Sequence, residues 1–249
     1  MKRFWDRAEV ALRPEGHAIL LDGTPMRLPG GPVLLVGPAP LAAAIATEWQ
    51  DAGGARGGTM SFADTPLTRL AGAAQERIAP DPWPTIDAIA RYGETDLLCY
   101  RAEAPEALVQ RQHAAWQPWL DWAAETLAAP LRVGAGVAPL RQHQGSIAAL
   151  RRAVAAQDTL ALAALGLAVP ALGSLVLGLA LAAEALPAEA AWRLGALDEL
   201  YQAELWGEDA QAAARRASIR AEIALAARFL ALARAPSAAV EGAAWRRSG

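Results

Sequence analysis

Three histidines are the first residues to weigh for chemistry: His17, His113 and His143. Zinc or general-base chemistry needs them at ligand spacing or beside a carboxylate. They stand in three separate contexts, with no H-E-x-x-H spacing among them. Each therefore reads as a solvated or half-buried structural residue, and no metal ligand set emerges. Gly53-Gly54-Ala55-Arg56-Gly57-Gly58 is glycine-rich but lacks the Gly-Lys-Ser/Thr ending that would cradle phosphates, so it reads as a flexible loop. Gly173-Ser174-Leu175 lacks the second glycine of a nucleophile elbow, leaving Ser174 as a helix cap or packing residue. Asp198/Glu199 and Glu208/Asp209 are sequence neighbours, and neighbours on a helix do not converge on one site. No catalytic residue and no cofactor-binding residue is assigned on these grounds.

The aromatic content points elsewhere. Nine tryptophans stand beside three tyrosines and three phenylalanines. Large rigid aromatics serve equally well as core residues and as anchors in protein–protein contacts. Trp116, Trp119 and Trp122 fall on neighbouring helical faces and read as core. Trp49 and Trp206 lie at helix ends, where each is either a staple or part of a surface that grips a partner.

The elements that must position these residues follow from composition and punctuation. Of 249 residues, 54% are hydrophobic, and alanine, the best helix former, supplies much of that fraction. A formal charge of −3 and a pI near 5.7 give no pull toward nucleic acid. The single cysteine, Cys99, excludes an internal disulfide; a buried small hydrophobe is its expected role, with a reactive thiol as the alternative. Charges at Lys2, Arg3, Asp6 and Arg7 stand where a signal peptide needs its apolar region, so a cytoplasmic setting is expected, and the high Ala and Arg use suggests a bacterial one. The uncharged run Thr159–Ala183 is long enough to span a bilayer, but it is Ala/Gly-rich and divided by Pro170. A buried helical hairpin is expected there, without membrane insertion.

Short strands are expected over 9–12, 17–21, 25–28 and 33–36, as a meander punctuated by Arg13-Pro14-Glu15-Gly16, Asp22-Gly23 and Pro29-Gly30-Gly31-Pro32. Helical periodicity starts after Pro40 and again at Pro66, running to Ile78. Ala79-Pro80-Asp81-Pro82-Trp83-Pro84 cannot be helical inside and marks a domain boundary. Thr85 is expected to cap Ile86–Tyr92, Asp96–Arg101 is open between strand and helix, and a long helix from Pro105 is bent or restarted by Pro118. Leu131–Leu140 reads as extended, and further helices are expected near 145–166, 171–185, 188–206 and 208–234. The expected fold is α+β and mostly helical: a small β-rich N-terminal domain (1–80), an all-α C-terminal domain (81–238) and a frayed tail (239–249).

Several motifs together resemble a known family. They include Lys2-Arg3-Phe4-Trp5, Leu21-Asp22-Gly23-Thr24-Pro25, Ala46-Thr47-Glu48-Trp49-Gln50 and Pro66-Leu67-Thr68-Arg69-Leu70. Others are Tyr92-Gly93-Glu94-Thr95-Asp96-Leu97-Leu98-Cys99-Tyr100-Arg101, Trp116-Gln117-Pro118-Trp119, Asp198-Glu199-Leu200-Tyr201-Gln202 and Leu205-Trp206-Gly207-Glu208-Asp209. In that order they resemble the F1-ATPase α-subunit assembly chaperones of mitochondria and α-proteobacteria. The resemblance implies a non-catalytic protein without cofactor that binds the free α subunit of F1 and shields its β-facing interface during ATP synthase assembly. It also draws attention to Trp49 of the Glu-Trp motif and, by motif position, to Glu189, Asp198 and Glu199. With Trp206 these make the candidate partner-binding set, on a chain expected to be monomeric when free. An enzyme with an unrecognised site and a membrane-associated assembly factor are the alternatives.

Overall fold

In the computed structural model, residues 1–136 and 138–235 are described. The expected tail at 239–249 and the last residues of the expected C-terminal domain lie outside them. Packing resolves two compact units. One holds Met1–Thr65 with the end of the final helix from Ala231, and the other is Pro66–Leu230. The division thus falls before Pro66 rather than at the proline cluster, because residues 66–78 pack on a helix of the second unit.

The first unit is built on a hairpin. Strand β1 (Ala8–Arg13) pairs antiparallel with β2 (Gly16–Leu21) across Pro14-Glu15, with Arg13 opposite Gly16. Asp22 and Gly23 both adopt positive φ, 49° and 78°, as a two-residue turn matched to strand twist requires. β3 (Thr24–Pro25) then returns to β2 at Leu20 and Leu21. The expected third and fourth segments meet at the antiparallel Arg27–Val33 bridge, and the end of the fourth, β4 (Leu35–Val36), crosses to pair with β2 at His17 and Ala18. Two-residue β3 occupies only one end of that β2 edge, so the other end stays open for β4.

Helix α1 (Ala39–Asp51) lays Leu41, Ile45 and Trp49 on the sheet at four-residue spacing. The loop that follows carries the glycine-rich segment. It wraps around Arg3, which is only 3% exposed. Arg3 Nη1 donates to the carbonyls of Gln50, Ala52 and Gly54, Nε to Trp5 and Nη2 to Asp6. At Gly58 a Cβ would lie 1.8 Å from the Gly53 carbonyl oxygen, so the close loop crossing admits only glycine.

The second unit is helical apart from one two-residue parallel pair. α2 (Pro66–Ala73) runs into a π turn over Ala74–Ile78. α3 (Trp83–Ala90) starts two residues before Thr85, because Pro84 is tolerated in a first turn and Asp81 accepts the Trp83 N–H. The ambiguous stretch resolves as a 3₁₀ turn at Leu97–Cys99 followed by β5 (Tyr100–Arg101). α4 (Glu106–Leu127) passes through Pro118 without restarting; that proline is exposed, leaving the released carbonyl to solvent. β6 (Gly134–Ala135) pairs with β5 inside the segment expected to be extended.

The remaining helices are α5 (Gln144–Ala155), α6 (Thr159–Leu172), α7 (Leu175–Ala182), α8 (Ala188–Gly195), α9 (Leu197–Trp206) and α10 (Ala210–Arg234). Their breaks differ from expectation where side-chain caps decide. Asp158 accepts the Ala161 N–H and starts α6 afresh, and Pro170 sits in its last turn while Gly173 at φ 63° ends it. The expected helix at 188–206 is broken at Ala196. Every residue of α7 is buried, with α4, α5, α6 and α8 packed around it, which is the fate of a helix apolar on all sides. The run read as a buried hairpin is therefore α6 and α7, and no described helix is long and apolar enough to cross a membrane.

Candidate partner-binding site

Helix α9 begins with Asp198 and Glu199 and ends with Leu205 and Trp206. Glu199 and Trp206 are seven residues apart, two helical turns, and so share a face about 10 Å apart along the axis. Trp206 is 85% exposed and Leu205 57%, an aromatic and an aliphatic side chain together at one helix end. Of the two sequence readings for Trp206, a staple packed on its own helix is not what is found.

The three carboxylates are held, each differently. Glu189 on α8 accepts from Arg193 one turn on (3.2 Å) and from Arg220 of α10 (2.7 Å), whose guanidinium also covers the Trp192 ring at 5.0 Å. Glu199 lies 4.0 Å from Arg215 and 3.9 Å from Arg216, and buried Arg216 donates to Glu208 at 2.9 Å. Asp198 turns the other way and accepts from Gln112 Nε2 at 2.8 Å.

Gln112 shows how the interior fixes Asp198. It is 1% exposed; its Oε1 accepts the Ala102 N–H and its backbone carbonyl accepts from Arg101 Nη1. Arg101 lies over the Trp116 ring at 5.2 Å, and burial pulls its guanidinium below its ordinary pKa. No spacing along the chain predicts this relay. The single signal for it in the sequence is an unusual glutamine on the apolar side of α4, four residues before Trp116.

Trp49 belongs to the first unit. It lies in the core of the first unit, 5% exposed, with its ring 5.0 Å from that of Trp5, whose indole Nε1 donates to the Trp49 carbonyl at 2.9 Å. In the free chain Trp49 holds a core together and presents no surface. Trp116 is fully buried, in keeping with the core reading, and donates to the Leu194 carbonyl.

The groups examined for chemistry are equally well placed. Cys99 is buried beside Asp96 and its thiol is pushed up to about 12, chiefly by burial, so it is inert as a nucleophile. Ser174 caps α7 by accepting the Leu177 N–H. His17 Nδ1 lies 3.1 Å from the Val36 carbonyl oxygen, and His113 and His143 are exposed. Among the described residues no group of three His, Cys, Asp or Glu could hold a metal.

A family model, ATP12 chaperone protein, matches residues 2–124. The crystal structure of Atp12 from Paracoccus denitrificans is 42% identical with a TM-score of 0.88, covering 94% of this chain and 98% of that one. An aspartate-to-lysine variant of the same protein matches at 41% identity over the same shares, also with a TM-score of 0.88. The Atu1473 protein of Agrobacterium tumefaciens is 38% identical with a TM-score of 0.85, covering 92% of this chain and 85% of that one. With near-complete mutual coverage at this identity, the chain belongs to the ATP12 chaperone family.

Proposed function

We propose that this chaperone binds the free α subunit of F1-ATPase and covers its β-facing interface until β arrives. The observation that carries the reading is the exposed Leu205–Trp206 pair on α9, on the helix that also bears Asp198 and Glu199. Tryptophan in a desolvated pocket is the commonest strong anchor of a protein interface, and carboxylates around it steer a basic client and fix orientation. Glu189 and Glu199, each already touching arginines at partly exposed positions, can exchange those partners for basic groups of the client. Trp49 acts by holding the first unit in shape. The motif resemblance and membership of the ATP12 family support the choice of client.

In this reading the protein is a cytoplasmic monomer of a bacterial cell when free, without catalytic activity or cofactor. Its affinity is moderate, because a chaperone that held α too tightly would block assembly. The test is retention of separately expressed α on the tagged chain. Trp206→Ala is expected to weaken retention of α by about tenfold or more, the cost of losing an interface anchor. Its melting temperature should stay that of the wild type, since the side chain is solvated. A variant that retains α as well as the wild type would remove Trp206 from the interface, and a wild-type chain that never retains α would sink the reading.

A further inference from the structure

A groove of about 640 Å³ crosses the second unit between α2 with its π turn, α3, α6 and α10. Its floor is apolar, with Leu70, Leu162, Leu167 and Leu225 among the lining residues. Arg69 and Arg77 stand on one wall, and Asp81 and Glu222 also line it. All four charged residues are exposed. Among the described residues, Arg69, Arg77 and Glu222 take part in no ion pair and no side-chain hydrogen bond. The contrast with α8–α9–α10 is plain, where every candidate carboxylate is paired.

The backbone is adapted to this wall. Eight residues of continuous α-helix would turn Arg77 about 80° away from Arg69, at roughly 100° per residue. The wider π turn over Ala74–Ile78 rotates less per residue and brings Arg77 back toward the same side. Such turns cost helix regularity and recur at functional positions. On the facing helix, Gly166 is exposed in mid-helix, and a side chain added there would meet no atom within 4 Å. Glycine here costs helix propensity and keeps the floor of the groove open.

We propose that this groove receives an amphipathic helix of the client. That helix presents an apolar stripe to the floor and two carboxylates, two turns apart, to Arg69 and Arg77. The spacing follows from the wall itself, since Arg69 and Arg77 lie eight residues apart, at most about 12 Å at the α-helical rise and less through the π turn, near the roughly 10.5 Å between positions i and i+7 on a partner helix. Asp81 and Glu222 favour basic residues elsewhere on the same helix, so the charge pattern fixes its orientation as well as its seat. The proposal rests on the client being F1 α, and it adds a second contact surface to the one on α9.

The experiment compares wild type, Gly166→Gln and the double variant Arg69→Glu/Arg77→Glu for binding of purified α by titration calorimetry, with thermal melts of each chain alone. Gly166→Gln fills the groove while improving helix propensity, so its melting temperature should hold or rise. Both variants are expected to bind α at least about tenfold more weakly, a loss on the scale of a desolvated contact. Wild-type affinity in both variants, with intact melts, would overturn the groove as a docking site and leave the α-binding reading standing. Absence of binding by the wild type would instead overturn the α-binding reading and this proposal with it.

Discussion

Replacing Arg3 with alanine is expected to destabilise the first unit by about 3–5 kcal/mol, the scale of a buried charged group whose hydrogen-bonding partners are left bare. The guanidinium is the donor for five backbone carbonyls, two of them, Gln50 and Ala52, at the C-terminal end of α1. Helix ends leave carbonyls without intrahelical donors, and a cation there also complements the helix dipole. The same residue is tied to the glycine loop by its main chain, donating to Gly58 and accepting from Gly57. Alanine removes every side-chain bond at once, while lysine could serve only part of the set with three donors on a single nitrogen. Arg3→Lys should therefore recover a fraction of the loss. Denaturant unfolding followed by tryptophan fluorescence checks both, because Trp5 lies under the Arg3 guanidinium and Trp49 packs on Trp5. A loss below about 1 kcal/mol for the alanine variant would place the guanidinium among ordinary surface pairs.

The second large effect concerns Asp96, which is fully buried. Its carboxylate accepts the Leu98 N–H at 3.1 Å and the Val176 N–H at 3.0 Å, so one side chain caps a 3₁₀ turn and the start of α7. Asp96→Ala leaves both donors buried and bare, for an expected loss of about 2–5 kcal/mol from the helical unit. Asp96→Asn keeps one acceptor and should lose less. Burial pushes this carboxyl above its ordinary value, against the hydrogen bonds from Val176, Ser174 and Leu98 that pull it down. A folded-state pKa above the unfolded one means that the native chain holds the proton more tightly. That contribution is fully present below the unfolded value of about 4 and is lost as pH rises through the folded pKa. The deficit of Asp96→Ala relative to wild type should therefore be largest in acid and narrow as pH rises. A deficit that widened with pH would mean that the hydrogen bonds, not burial, set the titration.

Local chemistry was legible wherever one or two residues decide the backbone. Asp22-Gly23 specified its turn, Ser174 its cap and Cys99 its burial, each from the residue type and its immediate neighbours. Helix breaks were misplaced where two punctuators compete: Pro170 is the louder signal, but a proline fits in a last turn and Gly173 ends the helix. β4 went to β2 because strand partners are chosen by edges left open in three dimensions. Arg3 could be seen only as a charge near the start, since its acceptors lie up to 51 residues away. The candidate site shows the same limit. Composition singled out Trp206, which is exposed, and equally Trp49, which is core. Gln112 behind Asp198 and the groove over Gly166 are assembled from separate helices, and no spacing along the chain announces them.

Client capture and release is the centre of this account, and competition by β tests it most directly. A complex of the tagged chain with α, isolated by size exclusion, would be titrated with purified β while free chaperone is followed. Release of the chaperone in step with formation of an α–β species is the expected result. A chaperone that stays on α while β binds elsewhere would contradict shielding of the β-facing interface.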